Sequence, residues 1–373
     1  MARKRPLRDA GTVVVLEHRS SVLADNPLGD PHVRRLAAWL PPAYDRRGRG
    51  PGPRFPVLYD LVGFTGAGIA HLNWRPFSDN VAERAARLVH GGRMGPAIIV
   101  FPDCFTSLGG NQYVNSTAIG RYADYLVDEI VPFVDREFRT LASREHRGCF
   151  GKSSGGYGAM IHGMKYTRHW GAVANHSGDA YFDFVYRADW PNTLDELAKY
   201  RRPPRKAGRL TPPGDTPGER LLAEGLDDGR TRRFLEAAWK KHKLSGPEVH
   251  AIMNLCMAAT YDPDPQAPLG FRLPFHLETG ELIERRWRRW LAHDPVRLID
   301  RHADHLRRLR LLFLDCGTED EWALELGARQ VVARLRALGI PHEHQEYEDG
   351  HMNVTYRYDV SLPRVTAALA AQG

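Results

Sequence analysis

No apolar run in the chain approaches the roughly 18 residues that a membrane-spanning helix needs, so an integral helical membrane protein is excluded. Cysteine is scarce. The four present, Cys104, Cys149, Cys256 and Cys316, never stand in CxxC spacing, which argues against a zinc knot or a disulfide frame. Lysine is scarce as well, 8 against 44 arginines, within a formal net charge of +7. That charge is spread along the chain rather than gathered beside stacking aromatics. It therefore reads as a bias toward arginine, and no nucleic-acid partner is expected. The densest basic knot, Glu284-Arg-Arg-Trp-Arg-Arg-Trp290, reads as a solvated helix face with both tryptophans turned inward. The basic N-terminal residues have no apolar segment behind them, so no secretory leader is expected and the cytoplasm is the expected address. No internal repeat of fixed period is present.

At 373 residues, 42% hydrophobic and 26% charged, the chain has a globular composition but exceeds the usual size of one domain. Strand-like and helix-like patterns alternate through the first half. Strands are expected at 11–20, 33–40, 55–62, 96–102, 147–150 and 170–175. Helices are expected from a Ser78 cap to Val89, over 122–138 and over 157–164. After Gly178 the alternation stops. It resumes near 294 with a helix, a strand at 309–314, a helix at 320–338, a strand at 342–348 and a closing helix. Such alternation indicates a mostly parallel sheet with helices on both faces. The division that follows is a catalytic core of 1–178 and 291–373, interrupted by a largely helical cap or lid of 179–290. Within that insertion the Pro-rich segments 201–208 and 211–218 read as loops.

The sharpest chemical signal is Gly151-Lys-Ser153-Ser-Gly155, a G-x-S-x-G with a strand running in and a helix running out. Glycine on either side leaves room where the neighbouring backbone comes close. The turn lifts the Ser153 hydroxyl to the sheet edge beside a helix N-terminus, whose dipole favours negative charge. A serine hydroxyl needs a base, and the base needs an orienting acid. In this architecture they follow in the order Ser, acid, His, each after a later strand. His351 follows a strand and Gly350, and is the candidate base. Asp315, Glu319 and Asp320 share the turn after 309–314. Asp320, where the loop enters the next helix, is the favoured acid, with Asp179 in reserve. Two backbone N–H groups must hold the oxyanion. Ser154 supplies one, and the turn Val62-Gly-Phe64-Thr65-Gly66 the other, through Phe64 or else Thr65. Tyr113 and Asn115 either line the pocket or close a loop. His176, Asp179 and Tyr181 stand after a strand at the same rim and are pocket candidates. His342 and His344 share a strand face without converging carboxylates or thiols, so no metal is expected there.

These residues give the chain a resemblance to the putative-esterase family of α/β-hydrolases, which includes esterase D, enterochelin esterases, feruloyl esterases and mycolyltransferases. It is carried by Val57-Leu-Tyr-Asp-Leu-Val-Gly-Phe-Thr-Gly66, Gly151-Lys-Ser-Ser-Gly-Gly-Tyr-Gly158, Asp315-Cys-Gly-Thr-Glu-Asp320 and Gly350-His351. It covers the core and says nothing of 179–290. The resemblance implies an α/β-hydrolase fold and a serine carboxylic ester hydrolase working through Ser153, Asp320 and His351, with no cofactor. The chain departs from the family at Val62, where histidine is common, so hydrogen bonding in that loop must differ. The same triad also serves an acyltransferase or a thioester hydrolase. A small or aromatic ester is the expected substrate, the aromatic and arginine residues of 181–190 hinting at an aromatic or anionic one, and a homo-oligomer is allowed.

Overall fold

The computed structural model describes residues 9–44, 52–202 and 227–370. The Pro-rich segments 203–208 and 211–218, expected as loops, lie outside the described residues. Eight strands form the central sheet: β1 (Thr12–Arg19), β2 (Val33–Leu40), β3 (Val57–Leu61), β4 (Ile98–Phe101), β5 (Arg147–Lys152), β6 (Ala172–His176), β7 (Leu311–Gly317) and β8 (Glu343–Tyr347). Their spatial order is β1-β2-β4-β3-β5-β6-β7-β8. β2 runs antiparallel to both neighbours, and from β4 to β8 all pairings are parallel.

The central strands are apolar almost without break because both sheet faces are covered. Side chains alternate between two cores. Val57, Tyr59, Leu61, Ile98, Val100, Leu312 and Leu314 point to one. Leu58, Ile99, Phe101, Phe150, Leu311 and Phe313 point to the other. Helix α1 (Val81–His90) and the C-terminal helix Tyr358–Leu369 cover the second core. Helix α2 (Val131–Glu137), helix α3 (Ser154–Lys165) and the helix Leu324–Ala337 belong to the first. α1 begins two residues later than the sequence pattern indicates. Its cap is Asn80, not Ser78: the Asn80 side chain accepts from the Glu83 N–H at 2.9 Å, and Glu83 returns to the Asn80 N–H at 2.9 Å. This reciprocal box satisfies two backbone donors at once, which Ser78 could not do at that spacing.

Between β6 and β7 the described chain adds no strand to the sheet. It forms helices Trp190–Ala198, Arg230–Ala238, Gly246–Tyr261 and Glu284–Leu291. Their apolar residues continue the first core rather than enclosing a separate one. Phe182, Tyr186, Trp190, Tyr261, Trp287 and Trp290 pack in the same cluster as Tyr157 and Met160 of α3. In the Arg-Trp knot the two tryptophans are buried, as expected. Arg286 is buried too, paired with the fully buried Asp262 at 2.6 Å, and Arg289 meets the same carboxylate at 2.5 Å.

Candidate active site

The C-terminal ends of β3, β5, β6 and β7 lie in register, with Leu61 opposite Gly151, and His176 opposite both Lys152 and Asp315. At this edge β5 turns sharply into α3 through Ser153, which sits at φ 60°, ψ −128°. Left-handed backbone at a non-glycine residue is strained and survives only where its surroundings hold it. Here the Ser153 N–H donates to the His176 carbonyl at 3.0 Å, and the Tyr157 N–H donates to the Ser153 carbonyl at 2.9 Å. A Cβ on Gly151 or Gly155 would run into the Leu61 carbonyl oxygen, so both glycines of the motif are dictated by the approach of β3.

Asp320 and His351 come from the loops after β7 and β8. The His351 Nδ1 lies 2.8 Å from Asp320 Oδ2, and both side chains are buried. The second Asp320 oxygen accepts from the Trp322 N–H at 3.0 Å, and the Trp322 ring meets the His351 ring edge-on with centroids 4.8 Å apart. The His351 N–H donates to Glu321 at 2.6 Å. Lys152, one residue before the candidate nucleophile, donates its ammonium to the His351 carbonyl at 2.8 Å, which ties the histidine loop to the serine turn. Burial pushes that ammonium below its ordinary value, while Asp320 and Glu321 pull it back up.

The turn after β3 lies against the serine. A Cβ on Gly63 would come within 3.4 Å of the Ser153 Cβ. Among the described residues, neither the Phe64 nor the Ser154 N–H has a hydrogen-bond acceptor. Phe64 is held by its carbonyl, which accepts from the Gly110 N–H at 2.6 Å, while Thr65 is exposed. At Val62, the departure from the family pattern, the carbonyl accepts from the Tyr113 hydroxyl at 2.7 Å.

The structure gives several pocket candidates other work. Tyr113 is 1% exposed, at φ 57°, under the turn after β3 and against Gly158. Asn115 bonds Asp124 at 2.7 Å and accepts from the Ala123 N–H at 3.0 Å, closing a loop onto a helix start. His176 is buried beneath the edge, 2.6 Å from Asp315 and 2.8 Å from Ser361. Asp315 is thereby engaged, since Arg357 also donates to it at 2.9 Å. Asp179 lies near enough to His351 to interact with it electrostatically. It accepts from the Tyr186 hydroxyl at 2.6 Å and from Gln112 at 3.3 Å. Burial raises its pKa, and Tyr186 and His351 oppose the rise. Tyr181, half-buried, stacks edge-on with Phe184 at 4.6 Å. Sequence reasoning missed Gln112, which is fully buried and donates to the Ser154 hydroxyl at 2.8 Å. The Gly109-Gly-Asn-Gln turn after a strand end was the available signal.

Sheet order, strained serine turn and late His–Asp pair together define an α/β-hydrolase-fold protein. The chain belongs to the Putative esterase family, whose model matches residues 31–368. Esterase Rv1288 of Mycobacterium tuberculosis is 33% identical over 105 residues, 26% of this chain and 22% of that protein. The chain thus matches only about a fifth of the length of that curated relative. Among solved structures, a ferulic acid esterase aligns with TM-score 0.57 at 18% identity, covering 96% of this chain and 98% of its own. An S-formylglutathione hydrolase from Agrobacterium tumefaciens aligns with TM-score 0.52 at 15% identity, covering 99% and 100%. These likenesses are likenesses of fold. Among the described residues, no helix is long and apolar enough to cross a membrane.

Proposed function

We propose that the chain hydrolyses carboxylic esters through an acyl-enzyme on Ser153. The observation that carries this reading is the buried Asp320–His351 contact at 2.8 Å, tied through Lys152 to the strained serine turn. In the proposed cycle His351 Nε2 takes the proton as the Ser153 oxygen bonds to the ester carbonyl carbon. Asp320 fixes the ring with its Nδ1 proton inward and stabilises the imidazolium. The N–H groups of Phe64 and Ser154 hold the oxyanion. His351 returns the proton to the departing alcohol, and water then releases the acid by the same steps in reverse order.

We place the 179–290 segment as a cap over this edge. Supporting it, the His250 ring on helix Gly246–Tyr261 lies 6.0 Å from the Trp322 ring, which itself meets His351. Tyr181 and Asp179, at the root of the segment, then border the acyl or alcohol pocket, and their aromatic neighbours favour a small aromatic ester. Replacing Ser153 with alanine should abolish p-nitrophenyl acetate turnover, and labelling by a serine-directed fluorophosphonate, at unchanged thermal stability. Retained turnover refutes the mechanism. A substrate panel including a ferulate ester and an acyl thioester sorts oxygen esters from thioesters.

A further inference from the structure

At the edge opposite the serine, the N-terminal ends of β5, β6 and β7 frame a cavity of about 470 Å³, lined by Arg144, Lys165, Thr167, Arg168, His305 and Arg308. No carboxylate lines it. The acids at its margin, Glu145 and Asp128, lie 3.5 Å from Arg144 and 3.9 Å from Arg168. Arg144 has a framework role, donating to the carbonyls of Thr167 at 2.7 Å and of Trp170 and Arg308 at 3.1 Å. His305 donates Nδ1 to the Met164 carbonyl at 2.5 Å. Lys165 and Arg308 have neither a hydrogen-bond acceptor nor an ion-pair partner for their side chains among the described residues. Lys165 is half-buried at the end of α3, and burial pushes its ammonium below the ordinary value. A cation withdrawn from water without a counter-charge is a standing cost, which a bound anion removes.

We propose that this cavity binds a small oxyanion, a phosphate or sulfate group free or as a monoester, between Lys165, Arg308 and His305. The group supplies the missing counter-charge and accepts from the unpaired Lys165 ammonium and Arg308 guanidinium. The site is separate from the ester pocket, since α3 runs from Ser154 to Lys165, roughly 17 Å of helix at 1.5 Å per residue.

Inorganic phosphate, with glycerol phosphate as a second arm, is titrated calorimetrically into the full chain at constant ionic strength. The expected result is one saturable site per chain, kept in Ser153→Ala and weakened about tenfold or more by each of Lys165→Gln and Arg308→Gln. Turnover of a p-nitrophenyl ester should be unchanged in both. Arg308 is exposed, so its variant folds even if the lysine change does not. Tighter binding of the monoester assigns a phosphorylated small molecule, and tighter binding of phosphate assigns the free ion. Affinity unchanged in Arg308→Gln, or lost in Ser153→Ala, overturns the proposal.

Discussion

Two buried aspartates end up near the same sheet edge, and their partners separate their roles. Among the described residues, Asp320 meets only His351 Nδ1 and the Trp322 N–H as close polar partners, beside a distant Cys316 thiol at 3.9 Å. Asp315 bridges His176 and Arg357 below the edge. In Asp320→Asn the amide presents either an oxygen or an N–H to His351. The N–H choice leaves Nδ1 as acceptor and puts the ring proton on Nε2, where a base must have a lone pair for the serine proton. Loss of a correctly protonated base is expected to lower kcat/KM by about 10⁴, or about 5.5 kcal/mol of barrier. The shape is unchanged, so melting should move by only a few degrees. In Asp315→Asn the Arg357 guanidinium is left half-buried without its carboxylate, at a cost of about 3–5 kcal/mol of folding stability. Catalysis per folded molecule should survive. The assay is steady-state p-nitrophenyl ester turnover, normalised to fluorophosphonate-titratable sites, with thermal melts in parallel. If Asp315→Asn loses turnover while Asp320→Asn keeps it, the assignment of the acid is wrong.

Gly155→Ala should yield no folded, active protein, because the new Cβ meets the backbone oxygen of Leu61, which cannot give way as a side chain could; circular dichroism of the expressed chain checks this. Asp179 carries a raised pKa from burial, so the folded state holds its proton to higher pH than the unfolded chain does. Its contribution is fully present below the ordinary value of 3.8 and is lost as pH rises through the folded value. Asp179→Asn, which still accepts from Tyr186, should abolish that decline, and a melting series from pH 4 upward should show the variant's curve flatter than wild type.

The serine turn and the histidine were legible because each is fixed by local rules: a strand, a tight turn, a helix, and a residue order that the sheet topology imposes. The acid was narrowed to one turn for the same reason. Asp320 was favoured there by its place at the entry to the next helix, whereas what engages Asp315 was invisible, because its partners His176 and Arg357 lie far away in sequence. Tyr113 and Gln112 were obscured likewise, since their hydroxyl and amide reach Val62 and Ser154 across the fold. The α1 boundary was readable after all. Asn80 stands three residues before Glu83, whereas Ser78 stands five before it. The basic cavity gave no sequence signal, because its cations come from three segments, at 144, 165–168 and 305–308, that meet only once β5, β6 and β7 are aligned.

The core that the described part of the 179–290 segment shares with α3 has a mechanical consequence. A lid that swings needs a dry seam it can open cheaply. Here Tyr261 packs against Tyr157, one helical turn past the serine, Trp290 packs on Tyr261, and Trp190 and Trp287 belong to the same cluster. Rigid opening would expose several large aromatics at once, a penalty of many kcal/mol. On the proposed mechanism, the side chain placed to limit access to the base is Trp322, whose ring meets His351 edge-on. Changes of substrate range should therefore arise by substitution around that ring, while excision of the segment should destabilise the helix that follows the serine.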